Sequence, residues 1–154
     1  GLGLRGYLSC VVECPFDGAI APGQVADVAA RLRDLADMPI SLGDTIGVGV
    51  PETVVPMLEA VMARIPASEL AGHFHDTGGR ACDNVEAALG LGLRVFDAAA
   101  GGLGGCPYAP GAPGNVATGA VVERVEALGY ATGIDRAKLA EAGAMAQQIK
   151  GGAA

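Results

Sequence analysis

The chain has 154 residues, 51% of them hydrophobic and 18% charged, which suits one domain with a sizeable core and excludes global disorder. A net charge of −7, no Trp and few aromatics exclude non-specific binding to phosphate backbones and base-stacking surfaces. No apolar run is long enough to span a bilayer, and four cysteines without a CxxC pair point to reduced thiols inside a cell.

The chain opens Gly-Leu-Gly-Leu-Arg with no initiating methionine, and apolar strand-like sequence begins almost at once. That suggests a piece of a larger protein, with a processed start as the alternative. Residues 4–12, LRGYLSCVV, are apolar and β-branched enough for a buried strand. Residues 13–23, with two prolines and two glycines, read as a loop. Residues 24–38 are helical in pattern, with Val25, Val28, Ala29, Leu32, Leu35 and Ala36 on one stripe. Pro39 stops that helix, and 40–45 form a second strand. Pro51 starts a helix that runs to about residue 65.

The third strand, 70–76, carries the two histidines of the chain, His73 and His75. Side chains two apart on a strand share a face, so the imidazoles converge while Phe74 packs on the other side. Two imidazoles at a strand end suit a metal site; a strand that merely carries two hydrogen-bonded histidines is the plainer alternative. A helix follows over 80–91, with Cys82 as a core residue, and then a fourth strand over 94–100. After a glycine- and proline-rich loop over 101–114, two helices, 118–128 and 135–150, close the chain, the last with Asp135 as its N-cap.

Strands alternating with amphipathic helices imply an α/β fold with a parallel sheet and right-handed crossovers. Ligands then sit at the C-terminal strand ends, where Asp44, His75, Asp76 and Asp97 fall. Four βα units fit either a small open doubly wound sheet or half of an eight-stranded barrel.

In the glycine-rich loop, Cys106 offers a thiol that can give a proton near neutral pH or act as a nucleophile; a small apolar filler is the alternative. Asn115, at the end of the loop, offers a hard oxygen donor, or is an ordinary turn residue. Two imidazoles with oxygen ligands suit Mg²⁺, Mn²⁺ or another first-row divalent ion better than a structural zinc. Asp44 and Asp76 are the local carboxylates that could balance its charge. Cys10 and Cys14 do not have the spacing of a common zinc knuckle.

The stretches RGYLSCVVECP (5–15), ISLGDTIGVG (40–49), HFHDTGG (73–79) and GGLGGCPYAPGAPGN (101–115) resemble the C-terminal half of the hydroxymethylglutaryl-CoA lyase family. The HxHD element is shared with isopropylmalate and homocitrate synthases and carboxyltransferase domains; the GLGGCP loop is more specific to the lyase.

The resemblance implies a single partial domain over residues 1–154: strands five to eight of a TIM (βα)₈ barrel plus a terminal helix, the N-terminal half absent. It implies cleavage of 3-hydroxy-3-methylglutaryl-CoA to acetyl-CoA and acetoacetate, in leucine degradation and ketone-body formation, with Mg²⁺ or Mn²⁺. His73, His75 and Asn115 then correspond to metal ligands. Cys106 corresponds to the catalytic cysteine, Asp44 to an acidic residue needed for activity, and His73 or Asp44 serves as base. An Arg-Asp pair that the family takes from its first strand has no counterpart here, so the isolated chain is expected to be inactive. The expected partners are an acyl-CoA substrate and a second copy in a homo-oligomer, with no nucleic acid or membrane. The expected compartment is a bacterial cytoplasm rather than a mitochondrial matrix. The other readings are a non-catalytic half-barrel that self-associates through its open edges, and a related acyl-CoA condensing synthase.

Overall fold

The computed structural model describes residues 2–105 and 113–151. Its strands and helices are β1 (Gly6–Leu8), β2 (Glu13–Cys14), β3 (Gly18–Ala19), α1 (Pro22–Arg33), β4 (Ile40–Asp44), α2 (Pro51–Met62), β5 (Leu70–Phe74), α3 (Ala81–Gly90), β6 (Phe96–Asp97), α4 (Thr118–Ala127) and α5 (Arg136–Gly151). Short 3₁₀ turns, Ala67–Glu69 and Ala100–Gly102, precede β5 and follow β6.

β1, β4, β5 and β6 form one sheet in that order, every neighbouring pair parallel. This is the α/β arrangement that alternating strands and helices require. Among the described residues β1 and β6 do not pair with each other, so the sheet stays open.

The core lies between the sheet and its helices. Ile40 and Leu42 of β4, Leu70 and Phe74 of β5, Val54, Leu58 and Val61 of α2, and Val85 and Ala88 of α3 are all buried there. Gly72 makes room for the Phe74 ring: a Cβ on Gly72 would lie 2.7 Å from it.

The helix ends follow from local chemistry. Pro22 and Pro51 stand at the first turns of α1 and α2, where a missing N–H costs nothing. Gln24 and Thr53 accept hydrogen bonds from the Ala21 and Val50 amides just ahead of them. Asp135 caps α5 as expected, its Oδ1 accepting from the amides of Ala137 and Lys138.

Three expectations need correction. The first strand is shorter than 4–12, because Cys10 sits at φ 57°, which ends extended pairing. The expected loop over 13–23 holds a small antiparallel ribbon, β2–β3. On α1 the buried face is Val25, Ala26 and Ala29, while Val28 and Leu35 are exposed. Leu35 lies beyond the end of the helix at Arg33, and the α2 contact selects a stripe rotated from the one expected.

Candidate active site

β5 is a central strand, and its alternation sets the site. Leu70, Gly72 and Phe74 face the helix layer, and Ala71 and His73 face the other way. Residue 75 continues the second set. The rings of His73 and His75 lie together, centroids 5.2 Å apart and planes tilted by 50°. The expected convergence of the two imidazoles is therefore present.

Neighbouring strands surround His73 through their register. Gly43 pairs with His73 on one side and Asp97 on the other. A Cβ on Gly43 would stand 3.9 Å from the His73 ring. The Asp97 Oδ2 lies 3.5 Å from His73 Nδ1, too long for a good hydrogen bond but a close electrostatic contact. Ser41 Oγ donates to Asp97 Oδ2 at 2.6 Å, and Arg5 Nη2 pairs with Asp97 Oδ1 at 3.0 Å. The Arg5 guanidinium also lies over the Tyr7 ring, whose edge meets His73 at 6.3 Å between centroids. In the sequence Asp97 falls at a strand end with nothing to give it a role, and nothing there singles out Arg5 or Ser41. Their common position depends on strand register, which no local spacing reveals.

Asn115 reaches His75 from the far end of the glycine-rich segment. The two residues form an isolated antiparallel bridge. The Asn115 Nδ2 donates to the Leu103 carbonyl at 3.0 Å. Gly104 must be glycine for this, since a Cβ there would lie 2.4 Å from Nδ2 and its φ is +111°. The Asp76 amide donates to the Gly114 carbonyl at 2.6 Å, tying the same segment to the end of β5. Burial pushes the His75 pKa down, and the neighbouring His73 pushes it further down. Hydrogen bonding to the Thr45 backbone and the Asn115 side chain opposes this, and the net direction is down, toward the neutral imidazole.

Asp44 is placed differently. It pairs in register with Phe74, not with His73, so its side chain is on the helix side of the sheet. Its Oδ2 accepts from the Gly49 amide at 2.8 Å, and Asn84 donates to the Gly49 carbonyl at 2.8 Å. Burial raises the Asp44 pKa, against the opposing pull of the Gly49, Val48 and Gly47 amides. The turn so formed touches the next one: the Gly78 amide donates to the Gly47 carbonyl at 3.0 Å. Asp44 thus holds the turn whose Thr45 backbone meets His75, without itself joining the two imidazoles. Cys106 lies outside the described residues.

The donor set suits part of a divalent-metal shell. His73 Nδ1 faces Asp97, which leaves the far ring nitrogen of His73 as its donor, and His75 Nδ1 is buried without a hydrogen-bond partner among the described residues. With the Asn115 amide oxygen they offer two nitrogens and one hard oxygen. Among the described residues no group of three or more His, Cys, Asp and Glu could hold a metal ion. No helix among them is long and apolar enough to cross a membrane.

The HMGL-like family profile matches residues 6–146. The chain is 53% identical over 140 residues to hydroxymethylglutaryl-CoA lyase of Pseudomonas mevalonii, a match that covers 91% of this chain and 46% of the relative. It superimposes on the crystal structure of the HMG-CoA lyase from Brucella melitensis with a TM-score of 0.94 and 57% identity, over 96% of this chain and 52% of that one. An HMG-CoA lyase from Acinetobacter baumannii, in complex with coenzyme A and 3-methylmalate, matches with a TM-score of 0.83 and 39% identity, over 90% of this chain and 46% of that one. The chain spans about half the length of these relatives. The relatives matched include bacterial, mitochondrial and cytoplasmic forms.

Proposed function

The chain belongs to the HMGL-like family, and from that premise we propose that it carries half of the active site of a carbon–carbon lyase that cleaves 3-hydroxy-3-methylglutaryl-CoA to acetyl-CoA and acetoacetate. The observation that carries the reading is the pairing of the His73 and His75 rings, 5.2 Å apart beside Asn115.

His73, His75 and Asn115 would hold Mg²⁺ or Mn²⁺. When bound, the ion supplies Lewis-acid chemistry that lowers the pKa of the substrate's tertiary hydroxyl. Asp97 orients the His73 ring through Nδ1, and Arg5 and Ser41 hold Asp97 in turn. The hydroxyl proton passes to His73, which of the two expected bases, His73 and Asp44, lies on the face of the sheet that carries the imidazole pair. The carbon–carbon bond then breaks: its electrons form the thioester enolate, and the former alkoxide oxygen becomes the ketone of acetoacetate. Cys106 gives its thiol proton to the enolate carbon, completing acetyl-CoA. The thiol is restored by the proton taken from the hydroxyl. Asp44 serves by shaping the turn that packs beside His75. The substrate is accordingly an acyl-CoA thioester, and the homo-oligomeric state implied by the family belongs to the same proposal.

The test joins this chain to the N-terminal half of the Brucella melitensis relative and measures acetoacetate release from 3-hydroxy-3-methylglutaryl-CoA. Turnover that needs Mg²⁺ or Mn²⁺ and is lost in His73→Ala supports the reading. Turnover that persists in EDTA with both histidines changed to alanine sinks it.

A further inference from the structure

The last helix reaches the site by a route that its position in the chain does not suggest. α5 meets the body at the 3₁₀ turn after β6, where a Cβ on Gly101 would lie 2.6 Å from the Gly143 carbonyl oxygen. No side chain on Gly101 fits between the two backbones. Four residues further along α5, Gln147 donates a hydrogen bond from Nε2 to the Gly101 carbonyl. Gly101 and Gly102 both have positive φ, 61° and 66°. The turn is closed by the Gly102 amide to the Ala99 carbonyl at 3.0 Å and by the Leu103 amide to the Ala100 carbonyl at 3.2 Å.

Two residues on from Gly101, the Leu103 carbonyl is the acceptor for Asn115 Nδ2. An amide side chain held through its NH₂ group has its oxygen direction set by that bond. A cavity of about 310 Å³, lined in part by Val122, Leu139 and Gly143, lies between α4 and α5 beside this contact. α5 is tied to α4 at its start, where Arg136 Nη2 pairs with Glu126 Oε2 at 2.6 Å, and to the Gly101 turn further along.

We infer that α5 is a positioning element of the site. Gly143 and Gln147 hold the Gly101–Leu103 turn, and that turn aims the Asn115 amide at His75. What Asn115 then does rests on the lyase reading above; the mechanical coupling does not.

The experiment uses the full chain and needs neither cation nor turnover, so it stands or fails apart from the lyase assay. The Asn115 side-chain NH₂ pair is identified in ¹⁵N correlation spectra by its disappearance in Asn115→Asp. Gln147→Ala should shift that pair and speed exchange of the Gly102 and Leu103 amides about fivefold, the effect of losing one ordinary hydrogen bond. Gln147→Lys, which keeps a donor of similar reach, should restore both. Gly143→Leu should act as Gln147→Ala does. Gly143→Ala should be silent, because its Cβ would meet Gly101 at ordinary contact distances of 3.5 and 3.6 Å. An Asn115 pair that stays in place in Gln147→Ala and in every folded Gly143 variant, whatever the melting temperatures do, overturns the inference.

Discussion

Asp97 stands directly beside His73 in the β5–β6 register, and its Oδ2 approaches His73 Nδ1 to 3.5 Å. Both of its oxygens are engaged elsewhere, one by Ser41 and one by Arg5. The carboxylate cannot turn away from the ring without breaking one of these contacts. A carboxylate fixed behind an imidazole favours the tautomer whose far nitrogen carries the free lone pair.

Asp97→Asn keeps the shape and an acceptor for Ser41 but removes the charge facing Nδ1. In the chain joined to the Brucella relative's N-terminal half, turnover and Mn²⁺ affinity should fall about 10- to 100-fold. Far-UV circular dichroism should be unchanged. Equal Mn²⁺ affinity in the two proteins would show that His73 orients itself without help.

How much of this was legible in the residues differs between elements. β4, α2, β5 and α3 are close to what hydrophobic period and Pro placement require, because each is buried along a whole face. β1 and β6 are shorter than their apolar runs suggest, since edge strands lack the second neighbour that extends pairing. The His73–His75 convergence follows from the period of a strand, and the structure has it. The placement of Asp44 does not: period alone puts it at a strand end, and only the register with Phe74 shows which face it takes. Arg5, Ser41 and Asp97 meet across three strands, so no single stretch contains the signal.

Gly104→Ala tests the hold on Asn115 from the opposite side to α5. A Cβ at residue 104 would lie 2.4 Å from Asn115 Nδ2, and φ is +111°. The amide must move, and the backbone is strained by about 1–3 kcal/mol. The joined enzyme should lose Mn²⁺ affinity to the same extent as Asn115→Ala, and the double substitution should add nothing further. Additive losses would mean that residue 104 acts through something other than Asn115.

The core offers a parallel test at Gly72. Its place between Phe74 and Phe96 leaves no room for a methyl group: a Cβ would stand 2.7 Å from the Phe74 ring and 3.1 Å from Phe96. Gly72→Ala should destabilise the chain by about 1–3 kcal/mol, the usual effect of overpacking. Gly72→Ala combined with Phe74→Leu should recover part of that loss. Urea denaturation with no change in midpoint for Gly72→Ala would contradict the packing described.

Asp44 makes a pH-dependent prediction with a definite sign. Burial raises its pKa above the ordinary value of 3.8, so the folded chain holds the proton more tightly than the unfolded one. As pH rises above 3.8, the unfolded form ionises first and is favoured, and Asp44 lowers stability until its folded pKa is passed. Asp44→Asn retains an acceptor for the Gly49 amide and removes the ionisation. The melting temperature of Asp44→Asn relative to the parent should therefore climb with pH through the acid range above 3.8, then level off. Asp44→Ala, which strands the buried Gly49 amide, should be less stable than Asp44→Asn at every pH, by about 1–3 kcal/mol. A difference between Asp44→Asn and the parent that stays flat from pH 3.8 to neutrality would show that the amides of the turn offset burial completely.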